Sequence, residues 1–146
     1  MDTKTNLIAF LDSKIEDTKG IAEDNFKHNK SLLSTNSPED VGAWVAGWSY
    51  ILSWRASKMM VDFATIELLM QIRSTIASDN LELDKTREYL EYIKTQWVSD
   101  VLSAARHNSR STSPSANMHE DAVNQAKAGI VSGTFSIWDR LYKLAE

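Results

Sequence analysis

The side chains best suited to proton transfer or metal binding near neutral pH are His28, His107 and His119. None stands in a Glu-x-x-His or His-x-x-x-His arrangement, so the sequence supports neither a ferritin-like di-metal site nor a zinc-protease helix. Asp24 and His28 are four residues apart and share one helix face. Two ligands do not make a metal site, and they read as a solvated pair near a helix end. There is no cysteine, which excludes disulfides, thiolate metal sites and cysteine catalysis. Glycine-rich phosphate loops and Ser/His/Asp sets at recognisable spacing are also missing. On these grounds no catalytic residue, metal or cofactor is assigned.

Two acidic pairs carry a weaker signal. Glu88-x-x-Glu91 and Asp121-x-x-Asn124 lie on consecutive predicted helices, and their spacing resembles that of all-helical nucleoside-triphosphate pyrophosphohydrolases. Those enzymes hold magnesium between acids on facing helices, which requires several converging oxygen ligands with room for phosphate. The further acids of such a site are missing here, and acidic pairs on a helix usually form its wet face. Arg106 and His107 are adjacent and so point in different directions, unlike the spaced Arg and His of helical toxin nucleases. Asp62 and Glu67 interrupt an apolar helix and are expected to pair with Lys58 or Arg55, or with another subunit. Met59, Met60 and Met70 read as core filler.

These side chains must be positioned by helices. Leu7, Leu11, Ile15, Ala22, Phe26 and Leu33 recur at three- to four-residue steps and predict a first helix over about 4–33. Ser37, Pro38, Glu39 and Asp40 form a helix start, and a second helix follows over 38–77. Its apolar residues, from Trp44 to Ile76, fall all round the axis, so a covering surface beyond three partner helices is expected. Asp79 with Glu82 opens a third helix over 80–107, and Asn117 with Glu120 a fourth over 117–145. Ser- and Asn-rich residues 108–116 read as a loop. Gly129 and Gly133 lie inside the fourth segment. The apolar pattern keeps its phase across them, so close packing of another helix is expected rather than a kink. The fold class is therefore all-α, an antiparallel up-down-up-down four-helix bundle with a long, apolar second helix in one domain, 1–146.

Composition restricts what such a bundle can do. Hydrophobic residues make up 42% and charged residues 25% of the 146 residues, the range of ordinary globular domains. A net charge of −4 argues against an extended nucleic-acid surface. The longest apolar region, 56–72, is broken by Lys58, Asp62, Glu67 and Gln71, so no membrane span is expected. The first residues lack a signal-peptide stretch, which points to the cytoplasm.

In the expected topology one pole gathers the end of the first helix, the start of the second, the end of the third and the start of the fourth. Phe26, His28, Trp44, Trp48, Arg106, His107, Arg110 and His119 meet there. Aromatic faces, guanidinium groups and a helix N-terminus are the groups that hold a planar anion. Trp44, Trp48, Arg106, His107, Arg110 and His119 are accordingly the candidate ligand-binding residues. Three readings follow. One is a non-enzymatic binding protein that self-associates through the second helix and occupies a protein partner. Another is a small-molecule binder that captures a nucleotide-like anion at the pole. The last is a metal-dependent nucleotide hydrolase.

Overall fold

A computed structural model describes the backbone of residues 2–35, 41–78, 81–107, 114–132 and 136–146, and their side chains apart from 32–35, 41–50, 52, 107 and 114–117. The described residues are all-helical. Five helices follow one another: α1 (Thr3–Thr35), α2 (Val41–Ala77), α3 (Leu83–His107), α4 (Pro114–Val131) and α5 (Ile137–Leu144). No described helix is long and apolar enough to cross a membrane.

Each helix buries most of the described residues that recur at helical spacing, but Phe26 of the first stripe is exposed. Leu7, Leu11 and Ile15 of α1 form one core with Leu69, Ile72 and Ile76 of α2, Leu90 and Trp97 of α3, Ala126 and Ile130 of α4, and Trp138 and Leu141 of α5. Helices α1 and α2 run antiparallel. At one end the Lys4 ammonium donates to the Ser78 carbonyl oxygen at 2.7 Å. Two turns further along α1, Asp12 takes two hydrogen bonds from Arg73, the Nη2 arm at 3.1 Å. Arg73 holds the Asp12 carboxyl below the usual carboxylate range. Helix α3 is antiparallel to α4, with Lys127 Nζ 2.7 Å from Asp100 Oδ2. Arg87, at the start of α3, donates to the Ala145 carbonyl oxygen at 2.9 Å. The chain end is thereby held at the pole where α1 begins and α2 ends. The main partners of α2 are α1 and α4, whereas α3 packs on α4 and α5 bridges α1 and α4. An ideal square bundle would place α2 beside α3. Here the close neighbour of α2 is α4.

The fourth segment departs from expectation in three ways. It begins at Pro114 rather than Asn117, because proline has its φ preset for a helix and lacks an N–H that the first turn could not satisfy. It ends at Val131, and a separate helix starts at Ile137. Ser136 caps that helix: its backbone is extended (φ −63°, ψ 154°) and its hydroxyl accepts from the Asp139 N–H at 3.1 Å. Finally, Gly129 is not a point of close packing. A Cβ built there meets nothing within 4 Å. Gly129→Ala is therefore expected to raise stability by about 0.4–1 kcal/mol, through lower entropy of the unfolded chain and better helix propensity. Chemical denaturation reads this directly, and a loss of stability would mean that another helix does approach the glycine.

Candidate functional site

Seven-residue spacing along α1 and α2 shows how the interior changes from one pole to the other. On α2 the series Ile76, Leu69, Asp62, Arg55 follows one face. On α1 the series Ile15, Ala22, Asn29 does the same. Both begin as buried aliphatic core at the pole where α1 starts, and both turn polar toward the opposite pole. There Asn29 Oδ1, Arg55 Nη1 and Asp62 Oδ2 are shut off from solvent without a hydrogen-bond partner. Buried polar atoms are almost always paired, and each orphan costs about 1–3 kcal/mol.

The expected pairing of Asp62 with Lys58 or Arg55 is thus not made at Oδ2. Lys58 acts on the Asp62 carboxyl only through its field, and burial pushes that carboxyl above the usual range. The proton is held more tightly in the folded chain than in the unfolded one. Asp62 therefore favours folding below the ordinary carboxylate pKa, and that contribution is lost as pH rises through the raised value. The stability of Asp62→Asn should equal that of the parent at about pH 3 and exceed it near neutrality. Denaturation of both proteins at several pH values checks this. A difference that stayed constant with pH would show that Asp62 titrates normally.

The apolar face of α2 follows the same division. Leu69 and Ile72 are 0% exposed, but Ile51 and Trp54, on the same face about five turns earlier, are 40% and 54% exposed. On another face Phe63 and Met70 stand exposed, seven residues apart. Phe63, Met59 and Ile66 meet Ala22 and Phe26 of α1 around a groove of about 270 Å³, edged by Lys19, Glu23 and Lys27. The methionines are thus not all core filler: Met70 is exposed, and Met59 and Met60 are half-buried.

Of the four helix ends expected at one pole, the start of α4 adjoins α3 and α2 through packing of α4 on both. Trp44 and Trp48 belong to the first turns of α2, and His107 is the last residue of α3. The side chains of all three, and Arg110 entirely, lie outside the described residues. Arg106 and His119 are exposed. His28 Nδ1 donates to the Asp24 carbonyl oxygen at 2.7 Å, a bond within the helix rather than a shared metal position. Among the described residues no group of three or more metal-ligating side chains converges.

The acidic pairs do not converge either. Hydrogen bonding to Glu91 pushes the Tyr142 hydroxyl up, so Glu91 lies toward the chain end. Asp121 lines a cleft with α2 near the opposite pole. No family model, curated protein or solved structure matches the chain.

Proposed function

We propose that this chain is a non-enzymatic binding protein, built as an antiparallel bundle of four segments, that self-associates through α2 and acts by occupying a protein partner. The observation that carries this reading is the exposure of Phe63 and Met70, seven residues apart on one face of α2, with Phe26 of α1 extending the apolar surface around Phe63. Single exposed apolar residues are ordinary, but large ones adjoining on one face are the mark of an interaction surface. The apolar character of α2 exceeds what its neighbours cover. Among the described residues the acids do not converge as metal-dependent hydrolysis requires, which favours occupation over turnover. Light scattering at micromolar concentration is expected to return a mass at least twice that of the 146-residue chain. A monomer mass would overturn self-association.

A further inference from the structure

A second recess lies on the α4 side of α2, where the core runs out. It is a cleft of about 360 Å³ lined by Trp54, Lys58 and Val61 of α2 and by Met118, Asp121 and Gln125 of α4. Its volume falls at the lower end of the range that small-molecule sites occupy. The wall chemistry is mixed in the way ligand sites are. Val61 and Met118 supply apolar surface, Trp54 an exposed indole, and Lys58 a cation lying 5.5 Å from the centre of that ring. Across the cleft Gln125 supplies an amide that can meet a hydrogen-bonding edge.

From these groups we infer that the cleft binds a small planar ligand carrying one anionic group, of nucleoside-monophosphate size. The ring system packs against Trp54 and Met118, the anion meets Lys58, and the polar edge turns to Gln125. The site uses neither of the exposed residues Arg106 and His119. It is also independent of self-association, because Trp54 and Met70 lie on nearly opposite sides of α2.

Calorimetric titration of the 146-residue chain with adenosine 5′-monophosphate and with 2-naphthoate tests the inference, with uncharged adenosine as the comparison. At least one of the two anions is expected to bind, and adenosine at least tenfold more weakly than its monophosphate if the nucleotide is the one that does. Lys58→Met keeps the length of the side chain and removes its charge. It should weaken the anion ten- to a hundred-fold, the value of a charge-assisted contact. Gln125→Leu, on the other wall, should weaken the nucleotide without changing the circular-dichroism spectrum. Met70→Asp should leave affinity unchanged whatever it does to the oligomer, so a failure here is separable from a failure of self-association. Absence of binding by both anions at millimolar concentration overturns the inference. So does affinity retained in Lys58→Met, or adenosine binding as tightly as its monophosphate.

Discussion

Trp138→Ala is expected to destabilise the folded chain by about 3–5 kcal/mol, the cost of emptying the space of a buried aromatic side chain. Trp138 is 1% exposed and is the largest of the fully buried side chains. It belongs to α5, a helix of eight residues, too short to hold its shape in water without tertiary contacts. Trp138 and Leu141 are the buried residues through which α5 docks, between α1 and α4. Against a typical total of about 5–15 kcal/mol for a domain, the loss removes a large share of the stability. Urea denaturation followed by circular dichroism gives the value. A loss below about 1 kcal/mol would show that α5 is not an integral part of the core.

The other large effect separates two neighbouring residues of α2. Leu69→Asp should abolish folding, because Leu69 is 0% exposed in the centre of the core. The substitution adds an unpaired buried charge to the loss of a leucine, together about 5 kcal/mol or more. Met70→Asp should leave the monomer within about 0.5 kcal/mol of its original stability, since Met70 is exposed. Its effect should appear in the mass: if α2 is the interface, the aspartate places a desolvated charge in it and the oligomer dissociates to folded monomers. Circular dichroism and light scattering on both variants decide the matter. A folded oligomer of Met70→Asp would remove this face of α2 from the interface.

The helices were legible because their buried residues recur at helical spacing, and the starts of α1 and α3 fall within three residues of those expected, while the start expected at Ser37–Asp40 lies outside the described residues. The break before α5 was not, because Ala126, Ile130, Ile137 and Leu141 keep an apolar phase that hides it. The signal that marks it is Ser136 three residues before Asp139, a cap that satisfies a free N–H at the new helix start. The candidate pole followed from topology alone. Trp54 and Lys58 were passed over because an all-round apolar helix gives no hint of which turns its neighbours leave bare. Their four-residue spacing is the feature that places a cation over a ring. The exposure of Ile51, against the burial of Leu69 on the same face, depends on where the other helices stop. That is a property of packing rather than of the pattern.

The polar turn in the two seven-residue series gives the molecule a gradient of local stability. Where Ile76 and Leu69 lie in the core formed with Ile15, opening the helices exposes aliphatic surface and so requires disruption of the whole core. Where Asp62, Arg55 and Asn29 continue the same series, separating α1 from α2 gives three unsatisfied groups access to water and costs correspondingly less. Fluctuations of the native state are therefore directional. The hairpin of α1 and α2 is expected to open first from the polar end, with the aliphatic end as its hinge.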